Sequence, residues 1–233
     1  MHGRNRRTRV AVALAGATAA VVTAMTAGAA PATADATGPD GSAKPVVQTA
    51  PRTAAAGERQ GDGRTAAADV DYETWKRDVS AVTDEARPYL EDRIDKGSGE
   101  KMAVVLDIDN TSLETGFHPI WEYPTPPVEQ TLELARYADS RGVAVYFVTA
   151  RPGIIYSLTE HNLKEAGFPI AGLYVRDLPD IFDEVSKYKT AKRAEIEAKG
   201  FTIIANIGNT PTDMVGGHAE KTFKLPDYDG ELS

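Results

Sequence analysis

The chain has 233 residues, of which 42% are hydrophobic, so it is long enough for one packed domain with additional segments. Its net charge of −8 is unevenly distributed: residues 1–68 hold 8 basic and 4 acidic residues (+4), which leaves 18 basic and 30 acidic residues (−12) in the remainder. So acidic a domain disfavours a nucleic-acid partner, whose phosphates require clustered Lys and Arg. The absence of cysteine excludes disulfides, thiol nucleophiles and zinc–thiolate sites.

The N-terminus has the pattern of an export signal. A basic stretch, MHGRNRRTRV, precedes an apolar run, and small residues follow around PATADA. We therefore predict a cleaved signal peptide over residues 1–34 and a secreted protein without stable membrane association after cleavage. An uncleaved anchor is the alternative, which the scarcity of Leu and Ile disfavours. Arg6-Arg7 leaves open the general or the twin-arginine route. Residues 35–68, rich in Ala, Gly, Thr and Pro without periodicity, predict a disordered linker.

Residues 69–233 alternate helical and strand patterns. The first predicted helix carries apolar residues at helical spacing from Trp75 to Ile94, with Asp71 as its cap and Pro88 marking a kink or a break into two helices. Helices ending near glycines then separate continuous apolar strands, predicted at 101–107, 143–149, 171–175 and 201–208, with a short fifth at 221–226. This order predicts an α/β fold, a Rossmann-like three-layer α/β/α domain with a mostly parallel sheet. The HPIWEYPTPP stretch predicts a small cap insertion at about 112–127, or else a packed surface loop.

Polar residues follow the predicted strands, at the edge where open α/β sheets bind ligands. Paired acids at a strand end suit Mg²⁺, which prefers a few carboxylate oxygens. An Asp can also attack phosphorus, and a second acid can protonate the leaving oxygen. Candidates at this edge are Asp107, Asp109, Thr149, Arg151, Arg176, Asp177, Lys187, Lys189, Asn209 and Asp213.

Four segments, DIDNT, FVTAR, YKTAKR and IGNTPTD, resemble the four motifs of the haloacid dehalogenase superfamily. With HNLKEAGF and FKLP, the chain resembles the subfamily IIIB acid phosphatases (class B-like), and the related plant acid phosphatases and vegetative storage proteins. The resemblance implies a phosphomonoesterase that acts on small molecules with Mg²⁺ as cofactor. It implies these roles: nucleophile and metal ligand, Asp107; general acid/base and metal ligand through its carbonyl, Asp109; phosphate contact, Thr149; phosphate neutralisation, Lys189, with Lys187 as fallback; metal binding or orientation, Asp213.

One position departs from the family pattern. An acid usually follows the glycine of the fourth motif, where this chain has Asn209. An amide oxygen can still ligate Mg²⁺, but without the charge. The alternative is therefore a non-enzymatic phosphate- or metal-binding or storage protein on the same fold. For the neighbouring cations the interpretation is structural: Arg151 as a salt-bridge partner, and Arg193 paired with Glu197 one helical turn away.

Overall fold

A computed structural model of the chain describes residues 70–232, and the predicted signal peptide and linker lie outside the described residues. Helices and strands alternate along this part of the chain. Two short 3-10 helices, Gly153–Ile155 and Asp180–Phe182, lie between them. The elements are α1 (Tyr72–Lys96), β1 (Met102–Leu106), α2 (Glu129–Ser140), β2 (Ala144–Pro152), α3 (Tyr156–Glu165), β3 (Gly172–Arg176), α4 (Val185–Ala198), β4 (Thr202–Gly208), α5 (Pro211–Met214) and β5 (Thr222–Lys224).

The five strands form one sheet in the order β3-β2-β1-β4-β5, and all the pairings are parallel. The α/β prediction and the short fifth strand are thus confirmed. Central β1 is flanked by β2 and β4, with Leu106 beside Phe147 on one side and Ile207 on the other. Because the strands are parallel, everything that follows β1, β2 and β4 emerges at one edge of the sheet.

Alternate residues of β1 belong to different hydrophobic clusters, as expected for a sheet that is covered on both faces. Val104 and Leu106 pack in the larger cluster, which includes residues of α1 and α2. Ala103 and Val105 pack in a smaller cluster with Tyr188 and residues of α4. One cluster lies between each face of the sheet and the helices that cover it, which gives the three layers of the α/β/α fold.

Helix α1 passes through Pro88 as one element, so of the two alternatives the break into two helices is wrong, and the kink stays a prediction. Proline costs a helix interior about 3 kcal/mol. The buried face of α1, which includes Trp75 and Leu90 at 0% exposure, offsets that cost. Asp71 caps the helix as predicted, since its Oδ2 accepts a hydrogen bond of 2.8 Å from the Thr74 amide.

The segment between β1 and α2 contains turns and bends and two isolated bridges, from Leu113 to Asp109 and to Pro127. Trp121 and Ile120 in this segment are 72% and 93% exposed. The segment is held against α3 by hydrogen bonds between Thr125 and Asn162, of 2.8 and 3.0 Å. Between residues 70 and 232, no helix has the length and apolar character that crossing a membrane requires.

Candidate functional site

The floor of the site is a buried ion cluster at the end of β1. Asp107 follows the strand, Lys189 lies in the second turn of α4 and Asp213 lies in α5. Lys189 Nζ donates to Asp107 Oδ1 at 2.7 Å and to Asp213 Oδ1 at 2.5 Å. All three side chains are at most 7% exposed. Asp107 and Lys189 line a cavity of about 520 Å³ together with Asn209 and Asp109.

The cluster is short of positive charge. Burial raises the pKa of Asp107 to about 7, with Asp213 and Asp109 adding to the rise and Lys189 opposing it. Burial lowers the pKa of Lys189, but the two carboxylates outweigh burial and leave that pKa above its ordinary value. A charged lysine is thus shared between two carboxylates, and one negative charge stays uncompensated in a desolvated place.

Asp213 positions the lysine and its own helix. Its Oδ2 accepts hydrogen bonds from the Thr210 amide at 2.9 Å and the Thr210 hydroxyl at 2.8 Å, a capping box at the start of α5. With Oδ1 taken by Lys189, both carboxylate oxygens already have partners. The role of Asp213 towards a metal stays a prediction, and this geometry favours orientation over direct ligation.

Arg193 holds the end of α5 and the loop that follows it, so its expected pairing with Glu197 is wrong. Arg193 is 1% exposed. It donates to the carbonyls of Gly217 at 2.9 Å, Asp213 at 3.2 Å and Val215. Sequence spacing indicated the i+4 acid, but the loop carbonyls offer several acceptors in a place from which water is excluded. Glu197 instead pairs with His218.

Asp109 lies in surroundings unlike those of Asp107. Its side chain is 42% exposed and contacts Arg151, whose Nη2 donates to Oδ1 at 2.7 Å and Nε to Oδ2 at 3.0 Å. Arg151 also donates to the Thr159 hydroxyl at 3.3 Å. Arg151 therefore is a salt-bridge partner, but of a candidate catalytic carboxylate inside the site.

Of the remaining candidates, Thr149 lies beside the site, whereas Lys187 and Arg176 lie away from it. Thr149 is fully buried within β2, and its Oγ1 accepts a hydrogen bond of 3.2 Å from the Arg151 amide, while Ala150 lines the cavity. Lys187 is 72% exposed and lies 3.4 Å from Glu184, outside the ion cluster. Arg176 donates to carbonyls of its own loop, including that of Ile181 at 2.9 Å. The structure thus brings Lys189 to Asp107, and it does not bring Lys187 or Arg176 there.

Asn209 is buried beside the cluster, and its amide has a fixed orientation. Nδ2 donates to the Leu232 carbonyl at 2.7 Å, and Oδ1 accepts from the Thr111 hydroxyl at 3.3 Å. Asn110 also donates to the Leu232 carbonyl, at 2.9 Å. The sequence gives no signal for these contacts, because they join positions 23 and 122 residues apart. A carboxylate at position 209 would face that carbonyl without a proton to donate.

The donor set fits a hard divalent cation. Oδ2 of Asp107 accepts no hydrogen bond from residues 70–232, and Asn209 lines the same cavity as Asp107. In the described part of the chain, no three His, Cys, Asp or Glu side chains are grouped to hold a metal ion by themselves. Mg²⁺ does not need such a group, because it takes one or two carboxylates and keeps water or phosphate oxygens for the rest. The uncompensated charge at Asp107 favours such an ion.

Comparison with known protein families finds a match for this α/β domain. Residues 48–119 and 120–231 match the model of the HAD superfamily, subfamily IIIB (acid phosphatase). The match spans most of the chain, which therefore belongs to this family. The resemblance drawn from the four motifs is thus confirmed.

Individual relatives agree with the family. The chain is 33% identical to the stem 28 kDa glycoprotein of Glycine max over 105 residues, which are 43% of this chain and 41% of that one. It is 27% identical to acid phosphatase 1 of Solanum lycopersicum, over 65% of this chain and 67% of that one. The chain thus spans about two fifths of the stem glycoprotein that it matches. The class C acid phosphatase from Bacillus anthracis has a similar fold, with a TM-score of 0.53, 19% identity and coverage of 68% and 80% of the two chains.

Proposed function

We propose that the protein is a secreted, Mg²⁺-dependent acid phosphatase that hydrolyses small phosphate monoesters through a phospho-aspartate at Asp107. The observation that carries the proposal is the buried Asp107–Lys189–Asp213 cluster on a cavity floor, in a chain of the acid phosphatase family. A carboxylate held at such a place without full compensation is costly, and such sites are commonly functional.

In the first step, an Asp107 carboxylate oxygen forms a bond to phosphorus while the bond from phosphorus to the ester oxygen breaks. Lys189 orients Asp107 and neutralises charge on the phosphoryl oxygens. The leaving oxygen takes its proton from Asp109, which lines the same cavity. The bound cation would supply the remaining positive charge, held by Asp107, the Asp109 carbonyl and Asn209.

In the second step, Asp109 removes a proton from water as the water oxygen attacks phosphorus. The acyl-phosphate bond breaks, and Asp107 and inorganic phosphate are regenerated. Asp109 must be free to exchange protons in both steps, yet Arg151 holds both of its oxygens. Substrate binding therefore has to move Arg151 away from Asp109, and the phosphate group is the natural acceptor for its guanidinium.

The export part of the proposal is supported by the basic and apolar pattern of residues 1–34. The acidity of the remainder supports a small-molecule substrate and disfavours nucleic acid. The alternative, a phosphate- or metal-binding protein without turnover, is favoured by one observation. Asn209 replaces the usual acid and commits its amide group to Leu232.

The experiment is hydrolysis of p-nitrophenyl phosphate by the protein with Mg²⁺, with EDTA and as the Asp107→Asn variant. Loss of kcat by a factor of about 10⁴ or more in the variant is expected. Circular dichroism and a phosphate-binding titration serve as controls for folding. A folded protein that binds Mg²⁺ or phosphate without turnover would support the alternative.

A further inference from the structure

A second cavity of about 500 Å³ adjoins the first, between the segment that follows β1 and helix α3. The two cavities share Asp109 and Thr115 in their walls. A group bound in the second cavity would therefore begin at the carboxylate proposed to protonate the leaving oxygen. The volume of this second cavity lies in the range that is usual for sites that bind small molecules.

The open part of this cavity is apolar. Ile120, Tyr123, Ile155 and Leu158 line it. Ile120 is 93% exposed and Leu158 is 57% exposed. Side chains of this kind lose their contact with water only when a ligand covers them, which favours an apolar ligand.

Most polar side chains of the wall are already hydrogen-bonded to the protein. The Asn162 side chain accepts from the Thr125 main-chain amide and donates to the Thr125 carbonyl, and the Tyr123 hydroxyl donates to the Leu158 carbonyl at 2.9 Å. His118 lies between Glu114 and Glu122, with nitrogen–oxygen distances of 3.3 and 3.0 Å.

The charged residues of this wall, Arg151 and Asp109, bond each other without a ligand, and the proposed mechanism assigns them to the phosphate group and the ester oxygen, so neither is left to pair with the leaving group. A hydroxyl-rich or charged leaving group would have to displace such bonds or go unpaired, and both cost affinity. The wall thus discriminates against polar groups as well as offering apolar surface.

The cavity is formed before any ligand binds. The hydrogen bonds from Thr125 and Tyr123 tie its two walls together, and the Tyr123 and His161 rings lie 5.9 Å apart across the same junction. A preformed site loses little conformational entropy on binding.

We propose that this cavity binds the leaving group, and that the preferred substrates are phosphate monoesters of bulky, uncharged, apolar alcohols or phenols. The inference rests on the proposed phosphatase function. The phosphate occupies the cavity above Asp107, the ester oxygen lies at Asp109, and the carbon skeleton lies against Ile120 and Leu158.

The test is the kcat/KM of the protein for n-alkyl phosphates from ethyl to octyl, with a hexyl ester that ends in a hydroxyl group as the polar comparison. Each methylene that becomes buried is expected to raise kcat/KM by about three- to fourfold, until the cavity is filled. The terminal hydroxyl is expected to remove the gain from the last methylenes.

A matched pair of double variants assigns the effect to the cavity. Ile120→Ser/Leu158→Ser replaces two apolar side chains of the cavity wall. Ile154→Ser/Leu178→Ser makes the same two replacements at residues outside the wall that are 93% and 75% exposed. The gain per methylene should fall below about twofold in the first variant and stay at the wild-type value in the second. A flat wild-type series, or equal slopes in the two variants, would overturn the inference and leave the phosphatase proposal standing. Failure to hydrolyse any ester, ethyl phosphate included, would overturn the proposed function, and the inference with it.

Discussion

Two carboxylates, two residues apart, lie in opposite surroundings. Asp107 belongs to a buried floor with Lys189 and Asp213, where burial raises its pKa to about 7. Asp109 and Arg151 form the open rim of the site, where Asp109 is 42% exposed and paired with Arg151. The difference follows from position, because the first aspartate directly follows central β1 and the second lies in the turn beyond it. One strand end thus supplies a desolvated and an accessible carboxylate, which suits the roles of nucleophile and proton donor that we propose for them.

The largest effect is expected when the floor loses its cation. Lys189→Met leaves the buried carboxylates of Asp107 and Asp213 without the cation that they share. The free energy of unfolding should fall by about 3–5 kcal/mol at neutral pH, and kcat should fall by about 100- to 1,000-fold. Denaturant unfolding and steady-state kinetics measure the two quantities.

The matched control is Lys187→Met on the same helix. Lys187 is 72% exposed and contacts only Glu184 among the described salt bridges. Its substitution should change stability by no more than about 0.5 kcal/mol. Equal effects of the two substitutions would refute the distinction between these lysines.

The second test uses the pH dependence of stability in metal-free protein. The pKa of Asp107 is about 7 in the folded protein, against an ordinary value of 3.8, so the folded state binds more protons between these values. The Asp107 contribution to stability should therefore fall as pH rises from about 4 to 7 and stay constant above.

Asp107→Asn isolates this contribution. The difference in free energy of unfolding between wild type and variant should change across that pH window, with the variant gaining relative stability towards pH 8. A pH-independent difference would show that Asp107 does not titrate there. Adding Mg²⁺ should restore the wild type at high pH and leave the variant less affected.

A smaller effect is expected at the edge of the floor. Asn209→Asp replaces the donor to the Leu232 carbonyl with an acceptor. The variant should lose about 1–3 kcal/mol of stability at neutral pH and regain part of it at low pH, where a protonated carboxyl can donate. Mg²⁺ affinity, measured by calorimetry, should rise with the added charge. Unchanged Mg²⁺ affinity would remove Asn209 from the proposed metal ligands.

The smallest effect on stability is expected at the rim. Arg151 and Asp109 are partly exposed, so Arg151→Gln should cost no more than about 1 kcal/mol. Its kinetic effect should be larger, with kcat/KM reduced by about tenfold or more, because the phosphate group loses the guanidinium proposed to bind it. Arg151→Lys, which keeps the charge without the two-point geometry, should recover only part of the loss. Full recovery would show that charge alone matters.

Local pattern predicted most of the fold. Continuous apolar strands and helices closed by glycine indicated the parallel sheet, and Gly142, Gly167 and Gly200 all have positive φ in the structure. Of the kink or break predicted at Pro88, the break does not occur, because the apolar face of α1 outweighs the local preference. Propensity is a local property, whereas burial depends on contacts with distant elements.

For the candidate site too, some features were predicted from the sequence and others were not. The rule that ligands bind at the carboxyl ends of parallel strands placed Asp107, Asp109, Lys189 and Asp213 at one edge of the sheet. The loop-holding role of Arg193 was missed, and so was the bond from Asn209 to Leu232. Both depend on main-chain carbonyls, which every residue has, so the identity of a side chain cannot indicate them.

The most direct test of the account is to trap the intermediate. The protein would be quenched in acid during turnover of p-nitrophenyl phosphate, digested and analysed by mass spectrometry. The account predicts one added phosphoryl group on the peptide that contains Asp107, present only with substrate and absent from Asp107→Asn. A phosphoryl group on another residue, or undiminished turnover by a folded Asp107→Asn variant, would contradict it.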